Sequence, residues 1–235
     1  MYYFGKLGNS ELIFEKIFPF LDHPYNDVKE AALEACITVR SPEINKKLRE
    51  MSKNEQDIHR MMAFYALGRY GTAENLPYIV QGLRDPSAEV RRVAVEALHS
   101  FVNTDLGAMN MLEQSLSDEN SAVRLAAIDV LGGCKFPESV DLLLKAMKDA
   151  DPWVRARCVE SLGKKRYDTI APQLAELLQD DQTLVVIKAI EALANLGGAV
   201  AFKYLLPFVD HPEPEVQDAA AAALSQFRDQ REGQV

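Results

Sequence analysis

The sequence predicts an all-α chain folded as an α-solenoid, a single array of about seven two-helix repeats. Three observations carry this. First, a fixed frame recurs along the 235 residues: an aliphatic anchor, then a base, then small residues four and seven positions on, then Leu or Cys eight on. The anchors are Val28, His59, Val90, Val123, Val154, Val185 and Val216, and five of the six steps between them are 31 residues while one is 33. Second, the apolar positions of each copy fall on one face of a 3.6-residue helix. Third, no segment sustains the period-two alternation of a half-buried strand, so no sheet is expected. A hairpin of this length cannot bury its own apolar face, whereas stacked copies share a continuous core.

The elements follow in order. Repeat one, residues 11–40, opens with Ile13, Phe14, Ile17, Phe18 and Phe20 and closes on the frame Val28, Ala32, Ala35, Cys36. Repeat two, 41–72, puts His59 in the aliphatic slot before Ala63, Ala66 and Leu67. Repeat three, 73–103, is expected to run Asn75–Leu83, turn at Asp85-Pro86-Ser87, then Val90, Ala94, Ala97, Leu98. Repeat four, 104–135, reads Met109–Leu116, a turn at Ser117–Asn120, then Val123, Ala127, Val130, Leu131. Repeat five, 136–167, reads Ser139–Met147, a turn at Asp149–Pro152, then Val154, Cys158, Ser161, Leu162. Repeat six, 168–198, reads Ile170–Leu178, a turn at Asp180–Gln182, then Val185, Ala189, Ala192, Leu193. Repeat seven, 199–229, reads Phe202–Val209, then Val216, Ala220, Ala223, Leu224, and 230–235 is expected to fray. Asp, Asn and Ser in the turns suit helix N-caps, and Pro suits a first helical turn. Gly68, Gly132 and Gly163 follow the Leu slot and read as helix-ending signals.

Composition bounds the function. Twenty-six Lys and Arg stand against 35 Asp and Glu, a net charge of −9, which argues against a general nucleic-acid binder. No apolar run approaches the roughly 20 residues of a membrane span, and residues 1–10 lack the apolar core of a secretory signal. Cys36, Cys134 and Cys158 show no CxxC spacing, which fits a reducing, cytoplasmic setting and no disulfide or zinc framework. No HExxH, Gly-rich phosphate loop or nucleophile elbow occurs. No catalytic, metal or cofactor site is expected, and no cofactor.

The pattern Asp-Pro-x-Val-Arg through Ser-Leu-Gly, clearest at Asp151-Pro152-Trp153-Val154-Arg155 and Ser161-Leu162-Gly163, resembles HEAT repeats, specifically the short phycobilisome-lyase-like subtype. The resemblance covers about residues 11–228. It implies a right-handed superhelix whose second helices line the concave face. It also implies a ladder between repeats of turn acids (Asp85, Asp118, Asp149, Asp180) and post-anchor bases (Lys29, Arg60, Arg91, Arg124, Arg155). Val186 and Gln217 depart from the base position, so the ladder is expected to stop there.

Two surface columns are the candidate partner site. Six residues after the anchors stand Glu34, Tyr65, Glu96, Asp129, Glu160, Glu191 and Ala222. This is either a negative stripe for a basic partner or a solvated face. Two after the anchors stand Glu30, Met61, Arg92, Leu125, Ala156, Ile187 and Asp218. The apolar members either meet an amphipathic partner or pack between repeats. Trp153, the only Trp, is either an exposed anchor or partly buried against a turn. The N-terminal Met1-Tyr2-Tyr3-Phe4 and the helix after it either cap the first repeat or join two copies in a dimer. The expected function is therefore a non-enzymatic scaffold or adaptor that binds a basic or amphipathic protein segment. The alternative, resting on the subtype resemblance alone, is a bilin lyase-like chromophore-handling subunit.

Overall fold

The computed structural model describes the backbone of residues 16–232, and the side chains in that span except at Asp168 and 227–232. Among the described residues there are thirteen α-helices, joined by turns and short 3-10 segments, and no strand. In chain order they are α1 Asn26–Val39, α2 Pro42–Met51, α3 Asp57–Tyr70, α4 Leu76–Gly82, α5 Ala88–Ala97, α6 Leu106–Ser115, α7 Ser121–Gly132, α8 Glu138–Ala146, α9 Pro152–Lys165, α10 Ala171–Glu176, α11 Thr183–Leu196, α12 Gly198–Leu205 and α13 Pro214–Glu232. Odd-numbered helices carry the anchors and even-numbered ones are the shorter first helices of each pair. The chain divides into two compact units, one ending at Val130 and the other starting at Leu131. The fold is an α-solenoid.

The repeating frame places the core. The residue four after the anchor is fully buried in every copy: Ala32, Ala63, Ala94, Ala127, Cys158, Ala189 and Ala220. The anchors from His59 onward are buried too, while Val28 is only half-buried. Small residues here let second helices approach closely. A Cβ on Gly68 would lie 2.7 Å from Ala97 Cβ, and one on Gly163 would lie 2.8 Å from both Cα and Cβ of Ala192. This corrects the reading of these two glycines as helix ends. Both lie inside helices, and their role is to admit the neighbouring backbone. The helices end later, at residues in the left-handed region: Arg40 (φ 50°), Gly71 (φ 61°) and Arg166 (φ 54°).

Capping follows from the turn residues. Ser41 Oγ accepts from Ile44 N at 3.1 Å ahead of α2, with Pro42 in its first turn. Asp105 accepts from Gly107 N (2.7 Å) and Ala108 N (3.2 Å) ahead of α6. Asp151 accepts from Trp153 N at 2.8 Å ahead of α9. Helix α13 continues to Glu232, and 233–235 lie outside the described residues. The dimer expected through the N-terminal aromatic end falls mostly on residues 1–15, also outside them. Within them, Leu21 is buried and Phe20 is 42% exposed.

Candidate partner-binding surface

The turns are built around one repeated seat. The residue five before each anchor is His23, Asn54, Asp85, Asp118, Asp149, Asp180 and His211. In all seven copies its side chain accepts the backbone N–H two residues on, at 2.9–3.3 Å. The imidazole Nδ1 of each end histidine thus takes the part of a carboxylate oxygen.

Onto this seat the post-anchor arginines close. Arg60 meets Asp85 through Nε (2.7 Å) and Nη2 (2.8 Å). Arg91 meets Asp118 at 2.7 and 2.9 Å, and Arg155 meets Asp180 at 2.8 and 2.8 Å. Each Nη1 also donates to two carbonyls of its own turn: Asn54 and Glu55 for Arg60, Asp85 and Pro86 for Arg91, Asp149 and Ala150 for Arg155. Arg124 does the same to Asp118 and Glu119. Burial alone would raise the Asp118 carboxyl, but hydrogen bonds from Arg91 and from Asn120 N–H outweigh it and hold it below the usual carboxylate range. Asp180 is likewise raised by burial and lowered further by Arg155 and Gln182 N–H. The Asp85 carboxylate holds Arg60 above its ordinary value, as Asp118 does for Arg91 and Asp180 for Arg155. These groups satisfy one another inside the fold and leave little for an outside ligand. The register that pairs Arg60 with Asp85 matches Lys29 to Asn54 and Val186 to His211, neither of which is an ion pair.

His59 is the exception in the anchor column. Its Nε2 lies 2.7 Å from Asp22 Oδ1 and its Nδ1 lies 3.3 Å from Asn54 Oδ1. It ties the 3-10 turn Phe18–Asp22 to α3 at the slot where the five later copies bury Val.

The two candidate columns lie on the second helices. In the first unit Glu34, Tyr65, Glu96 and Asp129 are exposed, and Met61, Arg92 and Leu125 are half-buried beside them. In the second unit Glu191 is exposed and Glu160 and Ile187 are half-buried, while Ala156 is buried. Trp153 is 66% exposed, so of the two readings the structure takes the exposed one. The acids are not bare, however. Glu96 pairs with Arg92, Glu160 with Lys164 (2.6 Å) and Arg157 (3.6 Å), and Glu191 with Lys188 (2.7 Å). Glu34 accepts from the Tyr65 hydroxyl at 3.2 Å. The surface is therefore a mixture of acids, bases and half-covered apolar groups rather than a simple negative stripe. Of these bases only Arg92 stands in the columns; Arg157, Lys164 and Lys188 lie outside them, although their three- and four-residue spacing along each helix announces the pairing.

Cys36, Cys134 and Cys158 are buried thiols that take part in no disulfide. Burial pushes the Cys36 thiol up to about 12 and raises Cys158 as well. Among the described residues no helix is long and apolar enough to cross a membrane, and no group of three or more His, Cys, Asp or Glu is placed to hold a metal.

Comparison with known proteins agrees with this architecture. The AP-3 complex subunit beta of Dictyostelium discoideum is 21% identical over 194 residues, covering 75% of this chain and 17% of that protein. The chain thus spans under a fifth of that relative's length. Among solved structures, the Escherichia coli protein YibA superposes with a TM-score of 0.66 at 17% identity, covering 97% of this chain and 94% of the other. A chain in a structure of Kap95p with RanGDP gives a TM-score of 0.69 at 18% identity, covering 90% and 34%. The profile described as HEAT repeats matches residues 14–99, 109–194 and 171–235. The chain belongs to the HEAT-repeat family.

Proposed function

We propose that this chain is a non-enzymatic scaffold that binds a protein partner along the exposed face of its second helices. The supporting observation is that face itself. The positions that stacking requires are buried, yet each unit leaves apolar groups beside charged ones on the same helices. In the first unit these are Met61, Tyr65 and Leu125 beside Glu34, Arg92, Glu96 and Asp129. In the second they are Trp153 and Ile187 beside Glu160 and Glu191. An exposed Trp is a common binding anchor. The pairing of Glu96, Glu160 and Glu191 with local bases favours an amphipathic helix or segment over a purely basic one. Similarity to a subunit of a multi-protein complex supports the same reading.

The test is co-precipitation with wild type and with the combined variant Glu96→Lys, Asp129→Lys, Glu160→Lys, at low and moderate salt. A partner retained by wild type and lost by a folded variant supports the proposal. Equal retention by both places the contact elsewhere. The chromophore-handling alternative rests on the short-repeat resemblance, and a shifted visible band on mixing with a bilin is the result that would support it.

A further inference from the structure

We propose that the groove between α2 and α4 binds a phosphorylated side chain of a protein partner. This surface is formed by first helices and does not depend on the second-helix face. The groove holds about 580 Å³ and is lined by Pro42, Lys46, Arg49, Glu50, Lys53 and Tyr78. That volume is in the ordinary range for a ligand pocket, roughly 300–1,000 Å³. In a chain carrying nine excess negative charges, four bases (Lys46, Lys47, Arg49, Lys53) fall within eight positions of α2 and the turn after it. Three of them line this groove.

Tyr78 organises the cations. Arg49 Cζ stands 5.7 Å and Lys53 Nζ 5.5 Å from its ring centroid. Stacking on the ring draws two like charges together without a carboxylate between them. The acids nearby are engaged or peripheral. Glu50 is held by Lys47 at 2.8 Å, and Glu74, which reaches one Arg49 nitrogen at 3.2 Å, is largely exposed. Glu50 itself lines the groove, and its carboxyl is held below the usual range chiefly by the hydrogen bond from Lys47, with Lys46 adding to the effect through its charge.

The donor set selects the ligand. A planar guanidinium flanked by two ammonium groups matches a group with high charge and several acceptor oxygens. A phosphate monoester carries about −1.5 to −2 charges at neutral pH and three such oxygens. A carboxylate brings one charge and two oxygens, leaving a cation unmatched. The face of Tyr78 gives the adjoining carbon atoms an apolar wall.

The experiment uses the full chain and follows the Tyr78 ring resonances by NMR. The probes are a short Gly-Ala-Ser-Ala-Gly peptide with and without phosphate on its serine, and phosphatidylcholine vesicles with and without a phosphoinositide. The phosphopeptide is expected to shift the Tyr78 signals saturably and to bind at least about tenfold more tightly than the unmodified peptide. Lys46→Glu with Lys53→Glu is expected to remove that preference. If that variant unfolds, Lys46→Gln with Lys53→Gln reports the same loss. Equal response to both peptides overturns the proposal, as does undiminished phosphopeptide binding by a folded variant. Binding to phosphoinositide vesicles without response to the phosphopeptide also overturns it and assigns the groove to a lipid headgroup.

Discussion

Removing Arg91 is the sharpest perturbation of the turn ladder. Its side chain is 10% exposed and that of Asp118 is 11% exposed. Arg91→Ala deletes two hydrogen bonds to Asp118, one to Glu119 and those to the carbonyls of Asp85 and Pro86, leaving the Asp118 carboxylate with the Asn120 N–H and the charge of Arg124. Breaking a buried pair by removing one partner costs about 3–5 kcal/mol. The turn lies at the surface, so the lower end, about 3 kcal/mol, applies. With a urea m-value of about 2.5 kcal/mol/M the midpoint falls by about 1.2 M. Asp118→Leu alone also destabilises, by stranding the guanidinium. The double variant Arg91→Met, Asp118→Leu leaves neither charge behind and should lose at least about 1.5 kcal/mol less than the sum of the single losses. Urea melts of Arg91→Met, Asp118→Leu and the pair together measure this coupling. Additivity within about 0.5 kcal/mol refutes the reasoning. The pH dependence has a definite sign. Because Asp118 and Asp180 are depressed in the fold, their contribution is present above the unfolded carboxylate pKa of about 3.9 and is lost as pH falls through the folded values. Wild type should therefore lose stability below about pH 4 more steeply than the double variant.

Three further outcomes follow from the packing. Gly163→Ala would gain about 1 kcal/mol from helix propensity on an open helix, but here the added Cβ meets Ala192 backbone at 2.8 Å, so a net loss of about 1–2 kcal/mol in thermal or urea melts is expected. Val186→Arg with His211→Asp rebuilds the missing rung across a hollow of about 440 Å³ bordered by Asp180, Val186 and His211, and should add about 1–2 kcal/mol; no gain would show that the rung is not transferable between repeats. Cys36 and Cys158 should resist a thiol reagent at pH 8 in the native protein and react on addition of denaturant, and fast native labelling of either would contradict their burial.

The stacking plan was legible because it is local and repeated. Ala63, Ala94 and Ala127 occupy the same frame position, and any one copy predicts the burial of the others. The exceptions were harder to read. His59 appeared only as a mismatch in the anchor column; its partners, Asp22 and Asn54, are set by the fold and not by spacing. Gly68 and Gly163 read as helix ends because sequence alone does not reveal how near Ala97 and Ala192 come. The two columns lie on the second helices as exposed or half-buried residues, apart from buried Ala156, and the choice between a negative stripe and a solvated face stayed open in the sequence because the pairing of Arg92, Lys164 and Lys188 with acids along each helix depends on side-chain placement. The α2–α4 groove was illegible, since Tyr78 lies 25 positions from Lys53 and only packing sets its ring beside that lysine.

The central claim is that second helices carry the partner. Site-specific photo-crosslinking tests it most directly, with one probe at Tyr65 on α3 and another at Met111 on the first helix α6, both exposed. The account predicts a discrete cross-linked partner from Tyr65, displaced by excess unlabelled protein and absent from Met111. A partner captured from Met111 and not from Tyr65 would contradict it.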